Sequence, residues 1–253
     1  MKDRSRIISL TVNNLSFRES LGEVSRKGLA HQQGFVCFAN VHMTIEARND
    51  PAFGRLLEKA MLILPDGKPL AMACKWLYHK KQERVAGMDF MPAIFEQANA
   101  FKGKIFLYGS TDEVLQKITE KARTQYPNAE IVGSISPPFR QLEEAELKSH
   151  VDLINASGAH FVLVSLGCPK QEKWMAANYH SINAILLGLG GAFPVMAGVQ
   201  KRSPKWMQDW SLEWLYRLAQ QPGRMFKRYL YTNTLFIGNL TKELVSRKLL
   251  GKR

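Results

Sequence analysis

The residues best suited to chemistry stand at the ends of short apolar runs. One run closes on Leu64-Pro65-Asp66-Gly67. A lone carboxylate at the end of a buried strand sits where open α/β sheets form ligand sites, and Asp66 there can act as general base on an attacking hydroxyl. Pro-Asp-Gly is equally a simple turn whose Asp caps the next helix, so the tripeptide alone leaves both roles open. A second run, Phe35 to Asn40, is followed by His42. Asn40 can hydrogen-bond a sugar or base, or cap the helix after it; His42 is a further base that ranks below Asp66.

Three glycine-containing strand ends add anion-binding potential. Residues 163–173 read Leu-Val-Ser-Leu-Gly-Cys-Pro-Lys-Gln-Glu-Lys, an apolar strand stopping at Gly167 before a helix opened by Pro169. Amides at such a helix start attract anions, and Lys170 and Gln171 add donors. Residues 184–191, Ala-Ile-Leu-Leu-Gly-Leu-Gly-Gly, repeat the pattern and end at Gly190 and Gly191. Gly109-Ser110-Thr111 lies between a strand and a helix, a setting for phosphate or ribose contact. The chain contains no GxGxxG, P-loop or HExxH pattern, which argues against a dinucleotide-dependent dehydrogenase. It also contains no Asp-x-Asp pair. A nucleotide diphosphate bound here would be neutralised by Arg, Lys and backbone amides, and Arg84, in Glu-Arg-Val-Ala-Gly-Met-Asp, is one such base.

Positioning these groups requires an alternating chain. The hydrophobic pattern predicts strands at 7–12, 35–40, 61–64, 104–108, 129–132, 161–166 and 184–189. Helices are expected at 16–30 (opened by the capping box Ser16-x-x-Glu19), 51–60, 68–80, 89–100, 112–125, 142–156 and 169–180. Such alternation specifies α/β architecture, a Rossmann-like parallel sheet covered by helices on both faces. After Gly198 the pattern changes. Trp206, Trp210, Trp214 and Leu218 recur every four residues, as on one helical face, and Gln221-Pro222-Gly223 breaks the chain before a last helix. The expected division is an α/β catalytic domain over 1–198 and a helical, basic, membrane-facing appendage over 199–253.

The net charge of the 253 residues is +13, and residues 200–253 supply +9 of it, with twelve Lys or Arg against three acids. The tail is thus built to meet a polyanion, either anionic lipid or nucleic acid. Amphipathic helices rich in Trp, Lys and Arg lie in membrane interfaces, while mixed aromatic and basic surfaces also bind single-stranded nucleic acid. A basic nucleic-acid-binding α/β protein is therefore the rival reading. Cys37, Cys74 and Cys168 are too few and too separated for a disulfide framework or zinc site, which fits a reducing cytosol. The N-terminus has no signal-peptide pattern, and the uncharged stretch 183–200 is interrupted by glycines and Pro194, reading as strand plus loop.

Seven segments together resemble the WecG/TagA/CpsF family of bacterial glycosyltransferases: 38–47, 64–67, 83–89, 107–110, 166–172, 188–193 and 212–224. The likeness spans roughly residues 7–240. It implies inverting transfer of a hexose or N-acetylhexosamine (N-acetylmannosamine, its uronic acid, or glucose) from a UDP-sugar to a polyprenyl-diphosphate-linked saccharide. It also implies that neither metal nor cofactor takes part and that nucleic acid is not a partner. The resemblance implies Asp66 as general base, Asn40 as a pocket residue, and Arg84 and Gln171 as site residues. It gives Arg217, Arg224 and Arg228, beside Lys227, to the diphosphate and lipid surface. It further implies a peripheral enzyme on the cytoplasmic face of the plasma membrane, where some members self-associate as homo-oligomers. One departure is visible. Many members carry a polar triplet such as Thr-Pro-Asn where this chain has Phe38-Ala39-Asn40, so sugar or acceptor recognition is expected to differ.

Overall fold

The structure is a computed structural model that describes residues 3–210, 212–220 and 222–249. Strands β1 (Arg4–Ile7) and β2 (Leu10–Asn13) form an antiparallel hairpin. The single strand expected over 7–12 is corrected: the chain reverses at Ile8, in the left-handed region at φ +57°. Helix α1 (Phe17–Leu29) begins with the expected capping box between Ser16 and Glu19. Then follow β3 (Gly34–Ala39), α2 (Val41–Asn49), α3 (Pro51–Leu57), β4 (Leu62–Pro65), α4 (Lys68–Tyr78) and α5 (Gly87–Phe101). Next come β5 (Lys104–Gly109), α6 (Asp112–Gln125), β6 (Glu130–Ile135), α7 (Glu144–Ala156), β7 (Phe161–Ser165), α8 (Lys170–Asn178) and β8 (Ile185–Gly188). Helix α2 is the helix that the capping alternative for Asn40 requires, although the hydrophobic pattern marks no helix over 41–49. A single 3₁₀ turn (Gly190–Ala192) and α9 (Phe193–Met196) replace the loop expected after β8.

The six long-range strands form one parallel sheet in the order β4-β3-β8-β7-β5-β6. Alternate residues of each central strand go to opposite faces, as the period of two requires. Phe35 and Cys37 of β3, Val162 and Val164 of β7, and Phe106 and Tyr108 of β5 join one buried cluster with α2, α3, α4, α7 and α8. Val36 and Phe38, Phe161 and Leu163, and Ile105 and Leu107 join the other, with α1, α5, α6 and α9. Burial on both faces explains why these strands read as continuous apolar runs. The hairpin lies against edge strand β4, where Asn13 Oδ1 accepts the Ile63 amide at 2.8 Å and so satisfies a donor that an open edge would expose.

The tail comprises α10 (Lys205–Asp209), α11 (Glu213–Gln220) and α12 (Pro222–Leu249). Trp206, Trp210 and Trp214 do not share one helix, which corrects the single-face expectation. The chain turns between α10 and α11, where the Leu212 amide bonds to the Met207 carbonyl at 2.7 Å. All three indoles are substantially exposed rather than packed on the sheet. Helix α12 buries Phe236 and Leu240 in the cluster that includes α2 and α4. Among the described residues no helix is long and apolar enough to cross a membrane.

Candidate active site

A parallel sheet delivers every strand's C-terminal end to one edge, and the register fixes what stands there. Ala39 pairs with Pro65, and the next amide, that of Asp66, donates to the Ala39 carbonyl at 2.8 Å. Asp66 and Asn40 therefore leave adjacent strands side by side. The next strand inward, β8, runs into Gly190 and Gly191; Leu189 N donates to Val164 O at 2.9 Å, and Ser165 Oγ to Gly190 O at 3.1 Å. Beyond β7 lies β5, whose Gly109 pairs with Ser165 and whose Ser110 amide donates to the Ser165 carbonyl at 2.8 Å. The connection after β5 leaves toward one face and that after β7 toward the other. Ser110 and Gly167 thus flank a topological switch point, the usual crevice for ligands in such sheets.

Asp66 is half-buried, and Gly87 N donates to its Oδ1 at 3.3 Å. Loss of water pushes its pKa up from 3.8 to about 6, and Glu213 adds to the rise. The nearby guanidiniums of Arg217 and Arg84, and the Gly87 amide, pull it back down. A carboxylate poised near neutrality, accessible, and placed at a strand end is suited to take a proton from a hydroxyl.

The cations arrive from three elements. Arg84 precedes α5; one guanidinium nitrogen is ion-paired with Glu213 and another lies 3.3 Å from Asp89 Oδ2. Arg202, from the segment before α10, reaches Asp89 Oδ1 at 2.7 Å. Arg217 of α11 extends over the β8 loop. A Cβ built on Gly191 would lie 3.5 Å from its Nη2, an ordinary van der Waals contact that puts the guanidinium beside this turn. Its Nη2 also lies 3.5 Å from Met88 Sδ. The result is a cluster of Asp66, Asp89 and Glu213 against Arg84, Arg202 and Arg217. Arg202, Asp89 and Glu213 were not singled out from sequence. The latter two stand inside the segments that carry the family resemblance, but nothing local in the chain announces that residues 84 and 213 meet.

The remaining expected residues lie as follows. Asn40 caps α2, its Oδ1 accepting the Met43 amide at 3.1 Å, so the capping alternative is realised beside Asp66. Gln171 is buried beneath the β8 loop rather than open to the cleft. Its Nε2 donates to Gly188 O at 3.2 Å and to Glu172 Oε1 at 2.8 Å, and a Cβ on Gly190 would come within 2.8 Å of its Oε1. The fully buried Glu172 has its pKa raised by desolvation. Gly109 has φ +100°, and a Cβ there would lie 2.4 Å from the Ser165 carbonyl oxygen, so only glycine fits. Ser110 is itself left-handed at φ +66°. Lys170 is exposed at the start of α8. His42 lies in the first turn of α2, with its pKa lowered by burial and by Arg228, which stands on α12 near that helix rather than among the groups acting on Asp66. The side chain of Arg224 lies outside the described residues. Among the described residues no three His, Cys, Asp or Glu side chains converge as metal ligands.

Comparison with known proteins now attaches a chemistry to this arrangement. The sequence profile described as "Glycosyl transferase WecG/TagA/CpsF family" matches residues 5–249. A Bacillus spizizenii protein named N-acetylglucosaminyldiphosphoundecaprenol N-acetyl-beta-D-mannosaminyltransferase is 33% identical over 191 residues, 75% of this chain and 72% of that protein. A Bacillus subtilis protein of the same name is 35% identical over 193 residues, 76% and 73% of the two chains. A match across nearly the whole length, on a doubly covered parallel sheet with an acid at its working edge, makes this chain a glycosyltransferase of the WecG/TagA/CpsF family.

Proposed function

We infer that this glycosyltransferase moves N-acetylmannosamine, or a related hexose, from a UDP-sugar to a polyprenyl-diphosphate-linked saccharide, with inversion and without a metal. The observation that carries the reading is the poised carboxylate of Asp66 acted on by Arg84 and Arg217 at the strand edge. The names of the two Bacillus relatives support the acceptor class and the sugar. Asp66 takes the proton of the acceptor hydroxyl as its oxygen forms a bond to the anomeric carbon. The bond from that carbon to the β-phosphate oxygen breaks on the opposite face, and UDP leaves with the electron pair. Negative charge grows on the β-phosphate, so guanidiniums held beforehand beside it stabilise the transition state more than the ground state. The Gly190-Gly191 and Gly109-Ser110 ends supply surfaces over which sugar and nucleotide lie close to the backbone.

The same reading puts the enzyme on the inner face of the plasma membrane as a peripheral protein. The supporting feature is a basic tail that also exposes Trp206, Trp210, Phe226 and Leu230. The experiment is UDP release with UDP-N-acetylmannosamine, its uronic acid and UDP-glucose, each with a short-chain polyprenyl-diphosphate N-acetylglucosamine acceptor. Release with one donor only, dependent on acceptor and persisting in chelator, is expected, and the product linkage read by NMR should be β. No release with any pair, or a retained anomeric configuration, refutes the reading.

A further inference from the structure

Among the described residues Asp66, Asp89 and Glu213 stand near Arg84, Arg202 and Arg217, and Arg84 is held by two of these acids in a site read as receiving a diphosphate. Arg84 is held on two sides. Asp89 lies 3.3 Å from one of its nitrogens, and Glu213 is ion-paired with another. Arg202 is itself engaged at 2.7 Å by Asp89. An incoming pair of phosphates brings two or three further negative charges beside a guanidinium whose two terminal nitrogens are already engaged. A phosphate that reaches Arg84 has to displace one of its carboxylates, and the three acids are not equally anchored.

Asp66 stands at a strand end, its backbone tied to Ala39. Asp89 lies in the first turn of α5, between Met88 and the fully buried Phe90 and Met91. Glu213 opens α11, a helix of eight residues none of which is buried. It is therefore the acid whose backbone is least fixed by packing. It also faces the right cation, because the arm of Arg84 that it engages is not the one Asp89 holds.

We propose that Glu213 is a positioning residue that occupies, on Arg84, the place taken by the donor's diphosphate, so that donor binding releases Glu213 while Asp89 keeps Arg84 aimed. The proposal rests on the reading of the site as one for a nucleoside diphosphate sugar. The carboxylate is a stand-in anion: it keeps the guanidinium oriented and desolvated in the resting enzyme, and it sets a threshold that uncharged or singly charged ligands do not overcome. Arg217 is on the same helix, four residues on. The movement that frees Arg84 thus also adjusts a second cation over Gly191, and the exchange couples diphosphate arrival to the seating of α11.

The test is calorimetric titration of the full chain and of Glu213→Gln with UDP and with uridine. Removing the competing anion should tighten UDP binding by about fivefold or more, a modest coupling between two ligands of one cation. Uridine, which lacks phosphates, should bind both proteins alike, whereas a general loosening of the tail would alter both ligands. UDP affinity that is unchanged or weaker in a folded Glu213→Gln overturns the proposal. Should that variant not fold, Glu213→Asp retains an acid at the helix start but draws it back from Arg84, and the same tightening of UDP alone is expected; its absence is equally fatal. If UDP binds neither the native chain nor the variant, the nucleotide reading itself fails, a result distinct from equal binding to both.

Discussion

In the proposed mechanism the carboxyl of Asp66 carries opposing demands. As a base it must be ionised, yet its surroundings favour the neutral form and hold its pKa near 6. The transfer rate should therefore rise about tenfold per pH unit below 6 and level off above it, read as kcat/KM against pH. Removing the strongest cationic influence, by Arg217→Ala, should move that limb upward in pH. It should also cost about 3 kcal/mol of transition-state stabilisation, as loss of a preorganised charge-stabilising donor does. Asp66→Asn removes the proposed base and should lower kcat by about a hundredfold or more with far-ultraviolet dichroism unchanged. The same substitution has a stability signature of determinate sign. Because the folded-state pKa lies above the ordinary 3.8, the folded protein binds this proton more tightly than the unfolded chain. The stabilisation is complete below pH 3.8 and is lost as pH rises through 6. Asp66→Asn should consequently melt higher than the native protein at pH 8, with the gain disappearing toward pH 4. An unaltered melting difference across that range would mean that the carboxylate is not desolvated.

The strand ends that carry the site are held by contacts that tolerate little change. Gly109→Ala would set a methyl against the Ser165 carbonyl in a left-handed backbone, so the β5 and β7 ends must part. A loss of about 1–3 kcal/mol in urea unfolding is expected, along with weakened UDP binding. The central strands were legible because burial on both faces leaves uninterrupted apolar runs, and the glycine-closed ends pointed to the edge that carries the candidate site. Other elements misled for local reasons. The hairpin turns at Ile8-Ser9, with neither Gly nor Asn to mark it, so Ile7 to Val12 reads as one strand. Helix α2 begins Val41-His42-Met43-Thr44-Ile45, rich in β-branched residues, and only the Asn40 cap betrays it. The tryptophan spacing reads as a single helical face because the turn between α10 and α11 contains neither glycine nor proline. Asp66 and Arg84 could be named from segments of sequence. Their partnership with Glu213 could not, since an ion pair across 129 positions depends on how the tail returns over the sheet.

Helix α12 gives the whole molecule two unlike sides. Inward, Thr232, Phe236 and Leu240 are buried, and Glu243 and Arg247 reach the hairpin and α4: Glu243 accepts the Ile8 amide at 3.2 Å, and Arg247 donates to the Leu77 carbonyl at 3.2 Å. Outward, Phe226, Leu230 and Ile237 are exposed along a stripe that flanks the buried one, and Val245 and Leu249 on the far side, with Lys227, Lys242 and Lys248 also exposed. The inner contacts fix the helix on the body, so the outer stripe is presented as a rigid surface. Lipid insertion of one such side chain contributes about 1.5–3 kcal/mol when burial is complete, and each base near an anionic surface about 1 kcal/mol. On the proposed reading neither contribution suffices alone, and together they would give reversible attachment. The chain should therefore sediment with vesicles containing phosphatidylglycerol and far less with neutral ones. Raised salt should weaken attachment without abolishing it, because only the charge component is screened. Leu230→Asp with Ile237→Asp inserts two acids into the outer stripe and leaves the buried inner face untouched. Vesicle binding should fall by about tenfold or more, while melting temperature stays near that of the native protein. Undiminished sedimentation would assign attachment to the exposed tryptophans of α10 and α11, and the same assay on Trp206→Ala with Trp210→Ala would then locate it.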